Sequence, residues 1–111
     1  MLPNATIAKM QKSCAKEEKW PEVMGVLSDP VRFRILKLLL DHKEACVTDI
    51  AKVFKMSVPA ASHQLKALER GGVLKIERQG QMKCYAVNRE DSDIQSLLKF
   101  LFPKGRPKNK S

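Results

Sequence analysis

Residues 55–87 read KMSVPAASHQLKALERGGVLKIERQGQMKCYAV. In the first half Ala61, Leu65 and Leu68 recur at intervals of three and four, the spacing of one face of an α-helix. Ser57 stands before that helix as a cap, and Gly71-Gly72 follows it as a stop. In the second half VLKIER and KCYAV alternate apolar and polar residues on either side of Gln79-Gly80-Gln81, the pattern of a two-stranded hairpin. The other faces of the helix carry Ala60, Ser62, His63, Gln64 and Lys66. A surface so poor in bulk does not build a core, and it suits a face that lies against another molecule.

Upstream, TDIAKVFK has helical spacing with Ile50, Val53 and Phe54 expected to face inward, and Thr48 or Asp49 can cap it. A short helix, a turn at Met56-Ser57-Val58 and a longer helix make helix-turn-helix spacing. Before that, Asp29 caps and Pro30 opens a helix over residues 30–41, with Val31, Ile35, Leu38 and Leu39 inward and Arg32 and Lys37 outward. Residues 16–27 fit a helix with Trp20, Val23, Met24 and Leu27 on its apolar side, the regular part starting near Pro21. After the hairpin, which must pack through Leu74, Ile76, Tyr85 and Val87, residues 90–102 begin with acids and continue as an amphipathic helix. The expected order is α-α-α-α-β-β-α, a mainly α chain with a small β-hairpin. Residues 1–15 are expected as a flexible arm, 16–102 as one domain and 103–111 as a basic disordered tail. In so small a domain Trp20, Ile94, Leu97, Leu98 and Leu101, widened by Phe100 and Phe102, leave apolar surface for a dimer seam.

The chain has 111 residues, 21 Lys+Arg against 12 Asp+Glu, and a net charge of +9. Such a balance draws a polyanion. Residues 57–89 hold six Lys/Arg against two Glu, so the quoted region is basic independently of the tail. No apolar run is long enough to cross a membrane, and the first residues lack the apolar core of a signal peptide. Three cysteines without repeating spacing form no disulfide framework, which fits a cytoplasmic, reducing compartment.

A helix fits the major groove of B-DNA, where short hydroxyl, amide and imidazole groups reach base edges that bulky side chains would hold away. Ser57, Ala60, Ser62, His63 and Gln64 are the candidate base and phosphate contacts, with Lys66 placed for the backbone. Arg78, Gln81 and Lys83 at the hairpin tip are candidates for flanking phosphates or the minor groove. Two rival readings stand beside this one. A winged helix can dock on an acidic protein instead; an enzyme is disfavoured, because no nucleophile-base-orienter set or phosphate-cradling loop is visible.

The segments LSDPVRFRILKLL, EACVTDIAKVF, SVPAASHQLKALERGGVL and ERQGQMKCYAV occur in this order. Together they resemble the ArsR/SmtB family of bacterial winged helix-turn-helix repressors over about residues 20–100. The resemblance implies a homodimer built on the first and last helices that binds a palindromic, inverted-repeat operator in double-stranded DNA and is loosened by an effector. Many members carry a thiolate site, Glu-Leu-Cys-Val-Cys-Asp-Leu, at the start of the first helix of the motif. Here Glu44-Ala45-Cys46-Val47-Thr48-Asp49-Ile50 keeps the first cysteine and replaces the second by threonine.

Cys14 in the arm is the remaining candidate partner for Cys46, in the same or the second subunit. Two thiolates fall short of the three or four ligands a soft ion prefers, yet they suffice for a disulfide, a persulfide bridge or a two-coordinate site. Cys14 and Cys46 are thus open to three readings: a redox or reactive-sulfur switch, a soft-metal or metalloid site, or a buried apolar cysteine beside an idle thiol. No resident cofactor is required. Cys84, in the second hairpin strand, is expected to have no role. The zinc site that some relatives build on the last helix is absent, since residues 91–102 contain no histidine.

Overall fold

Asp29 sets the first long helix of the core. In the computed structural model, which describes residues 1–16 and 18–103, its Oδ1 accepts from the backbone N–H groups of Val31 at 2.8 Å and Arg32 at 3.1 Å. Those are two of the donors that a helix start leaves without intrahelical partners. The elements in chain order are α1 (Asn4–Cys14), α2 (Trp20–Leu27), α3 (Pro30–Asp41), β1 (Ala45–Cys46), α4 (Val47–Val53), α5 (Val58–Arg70), β2 (Leu74–Gln79), β3 (Met82–Val87) and α6 (Ser92–Leu101). The strands form one antiparallel sheet in the order β1-β3-β2.

Ile35, Leu36 and Leu39 of α3 are fully buried, with Val23, Ile50, Leu65, Leu68, Leu74, Tyr85 and Ile94 in the same cluster. Each such aliphatic side chain contributes roughly 1.5–3 kcal/mol on burial. Leu36 joins the expected core, while Leu38 is only half-buried. The reason is that α3 packs against α2, α5 and β3 together, so its apolar side is wider than one stripe.

Two inward expectations and one seam expectation are corrected. Val53 is 57% exposed, because α4 ends there and the chain turns away. Ile76 shares a face with buried Tyr85, its partner in register, but β2 is the edge of the sheet and leaves Ile76 exposed. Ile94 and Leu98, expected at a dimer seam, are 1% and 4% exposed within this single chain. They are therefore core, and a second copy cannot reach them.

The segment before α2 also differs from expectation. Residues 4–14 are helical, yet no residue of α1 is buried, and Ile7 and Met10 remain exposed. Lys19 ties the start of α2 to the start of α6, its Nζ lying 2.9 Å from Asp91 and 3.0 Å from Asp93. Phe102 closes the other end of α6 against Phe33, ring centroids 5.5 Å apart. Residues 104–111, most of the expected tail, lie outside the described residues.

Candidate nucleic-acid interface

Two backbone motifs hold α4 and α5 at their mutual angle. After α4, Phe54 is the C-cap, the Lys55 N–H donates to Lys52 O at 3.3 Å and the Met56 N–H to Ala51 O at 2.9 Å. This is the Schellman arrangement, with Lys55 in the left-handed region at φ 54°. Ser57 then caps α5, its hydroxyl accepting from the Ala60 N–H at 3.1 Å. The far end repeats the motif: Gly72 (φ 79°) donates to Glu69 O and Val73 to Leu68 O. Leu68 and Val73 are both buried there, which fixes where the chain leaves α5 for the hairpin.

Ala61, Leu65 and Leu68 fill the buried stripe of α5 as expected. The opposite stripe consists of Ala60, His63, Lys66 and Arg70, all exposed, at helical spacing. Arg70 extends the cationic end of that face and was not singled out in the sequence, where it reads only as the residue before a stop. Ser57 is exposed beside the N-terminal end of the stripe, and Ser62 is half-buried on its flank.

Gln64 has a different setting. Arg32 Nη1 donates to Gln64 Oε1 at 3.1 Å, and Arg32 Nε donates to Val26 O at 2.8 Å. Arg32, expected to point outward, instead bridges α2, α3 and α5, because the carbonyl at the end of α2 and the amide on α5 both lie within its reach. The amide of Gln64 is thereby oriented, with its oxygen occupied.

The hairpin turns through Gly80-Gln81. Gly80 has φ 61°, and Gln79 pairs with Met82 across the turn, as in a two-residue turn with glycine first. Arg78 and Gln81 are exposed near the tip, and Lys83 is half-buried with its Nζ 5.7 Å from the centroid of the Tyr85 ring. Nearer the base, Lys75 lies 3.3 Å from both Glu77 and Glu90. The hydrogen bond to Glu77, then that to Glu90, holds its ammonium above the usual lysine range. Among the described residues of α5 and the wing, Lys75 is thus the cation paired with acids, and Lys66, Arg70, Arg78 and Lys83 are the others that these two elements carry.

Cys46 is disulfide-bonded to Cys84, a pairing not expected from the sequence, where Cys14 was the candidate partner of Cys46 and Cys84 had none. Its signal was the two-residue strand β1, too short to recognise by alternation, which sets Cys46 directly opposite Cys84 on β3. Cys14 is free and exposed, so within the chain it is not the partner of Cys46. These thiols do not fit a resident soft metal. The sulfur of Cys46 is already bonded, and among the described residues no three His, Cys, Asp or Glu side chains group to hold an ion. No helix among the described residues is long and apolar enough to cross a membrane.

Residues 29–75 match the model of the bacterial regulatory proteins of the arsR family. The transcriptional repressor SdpR of Bacillus subtilis is 38% identical over 82 residues, covering 71% of this chain and 89% of the repressor. A homologue of the cadmium resistance transcriptional regulatory protein CadC from Staphylococcus aureus is 29% identical over 98 residues, covering 86% of this chain and 79% of that one. Among solved structures, the homodimeric winged helix-turn-helix DNA-binding domain Mb0332 of Mycobacterium bovis, described as a possible ArsR-family regulator, superposes with a TM-score of 0.66. It is 25% identical and covers 91% of this chain and 84% of that one. The fold is accordingly a winged helix-turn-helix, and the chain belongs to the arsR family of bacterial transcriptional regulators.

Proposed function

We propose that this regulator is a cytoplasmic repressor that binds an inverted-repeat operator as a homodimer, each subunit laying α5 in a major groove and its wing on the flanking backbone. The observation that carries the reading is the exposed stripe Ala60-His63-Lys66-Arg70 on α5. It is slim at its start, cationic at its end, and adjoins a wing carrying Arg78, Gln81 and Lys83. Ser57 and Ser62 contact phosphate or base edges at its N-terminal end, and Gln64, oriented by Arg32, presents its amide NH2 group as a donor. Phosphate contacts set the docking pose, and base-edge contacts select the sequence.

A homodimer is supported by the homodimeric state of the Mycobacterium bovis domain and by apolar surface on this chain. With Ile94 and Leu98 assigned to the core, the seam draws on Trp20, Leu97 and Leu101, which are half-buried, and on exposed Met24 and Phe100. Twofold symmetry in the protein demands it in the site, with half-site centres about one helical turn, roughly 34–36 Å, apart. The metal chemistry named for the cadmium-resistance relative is not carried over, because a soft ion would need Cys46 released from Cys84 and Cys14 brought to it. Selection of duplexes from a random pool tests the reading. An enriched inverted repeat is the expected result; enrichment of no sequence, or of an asymmetric single site, would contradict it.

A further inference from the structure

We infer that Cys46 and Cys84 form a reversible dithiol–disulfide pair that sets the position of the wing on the helix-turn-helix, with the disulfide form binding DNA more tightly. The inference rests on the DNA-reading role proposed above. Cys46 is the last residue before α4, the first helix of the motif, and Cys84 lies in the middle of β3 in the wing. The bond spans a sequence separation of 38. The loop it closes contains α4, α5, β2 and the first half of β3, so every candidate DNA contact named above lies inside it.

Without the bond, the link between the two parts at this point is β1, two residues long and paired only as Ala45 to Tyr85 and Cys46 to Cys84. So short a strand is a weak tether. Bonded sulfurs sit about 2 Å apart, closer than two thiols can approach. Opening the bond lets β1 and β3 separate at this pair and loosens the wing beside the start of α4, while Tyr85 and Val87 keep β3 on the core. A reader whose two contact elements are already in place loses less conformational freedom on docking, which gives the oxidised form the higher affinity.

Exposure assigns the chemical roles. Cys84 is fully buried, whereas Cys46 is half-buried. With a peroxide as oxidant, the Cys46 thiolate attacks one oxygen: an S–O bond forms, the O–O bond breaks, and hydroxide leaves to be protonated to water. The Cys84 thiolate then attacks the Cys46 sulfur, forming the S–S bond and expelling the second oxygen as water. Two electrons pass from the two sulfurs to the peroxide. Reduced glutathione reverses the change by thiol–disulfide exchange at the more accessible Cys46 sulfur.

The test uses the full chain carrying Cys14→Ser, so that intermolecular bonding through the exposed thiol does not intrude. Reduced and peroxide-treated samples are checked by peptide mass for the 46–84 cross-link and titrated with the selected duplex. Tighter binding by the oxidised form, by tenfold or more, is expected, with the difference erased in Cys46→Ser and in Cys84→Ala. Excess reduced glutathione should return the oxidised sample to the affinity of the reduced one. Equal affinity of the two forms, tighter binding by the reduced form, or a cross-link that glutathione leaves intact would overturn the switch while leaving DNA binding standing. Should neither form bind any duplex, the DNA reading itself fails and the switch with it. Hydrogen exchange of the β3 amides supplies a readout apart from DNA: faster exchange on reduction is expected, and unchanged exchange would refute the loosening of the wing.

Discussion

His63 and Lys83 differ in what each would meet on a duplex in the proposed docking. His63 is exposed in the middle of the α5 stripe, where a base edge would lie, whereas Lys83 is on the wing beside the Tyr85 ring. His63→Ala is expected to cost roughly 1–3 kcal/mol on the operator and to relax sequence preference, while Lys83→Ala weakens binding to every duplex alike. Equal losses on cognate and random DNA for both variants, read by titration, would contradict that division. Gln64 gives a second test. If Arg32 orients its amide, Arg32→Met and Gln64→Ala should not add in operator binding, with a coupling of about 0.5 kcal/mol or more; strict additivity would show that the 3.1 Å bond has no consequence for recognition. The exposed face of α5 was legible in the sequence because small polar residues interrupt an amphipathic pattern. The reach of Arg32 was not, since it depends on how the end of α2 passes α5.

At the scale of elements, the helices were legible where a cap and a period coincide, as at Asp29-Pro30 for α3 and Ser57 for α5. The two-residue β1 had neither, so the pairing of Cys46 with Cys84 stayed hidden although both cysteines were in view. The start of α6 shows a further contact that periodicity cannot supply. The hydrogen bond from Lys19, followed by the backbone N–H of Ile94, holds the Asp91 carboxyl below its ordinary range. A carboxylate whose pKa is lowered by folding stabilises the native state above its unfolded pKa, and that contribution is lost as pH falls through the depressed folded value. The junction between α2 and α6 should therefore loosen only in acid. Lys19→Met should raise the Asp91 titration midpoint towards the ordinary value, followed by carboxyl NMR shifts; an unmoved midpoint would mean that Lys19 does not hold Asp91 in solution.

For the whole molecule, the number of outward cationic side chains decides behaviour on DNA. The chain carries a net +9, and Lys66, Arg70, Arg78 and Lys83 lie on the two elements proposed to touch the duplex, so binding should release counterions. The apolar stripe on α6 was visible in the sequence, but the burial of Ile94 and Leu98 inside one chain was not, because it depends on the packing of α6 against its own core. The measurement that bears most directly on the account is the affinity of the purified chain for its selected duplex across a salt series. A log-linear fall with salt is expected, its slope reduced by about one for each phosphate-contacting lysine or arginine replaced. Binding that ignores salt, or no binding even in dilute buffer, would contradict the claim that α5 and the wing dock on DNA.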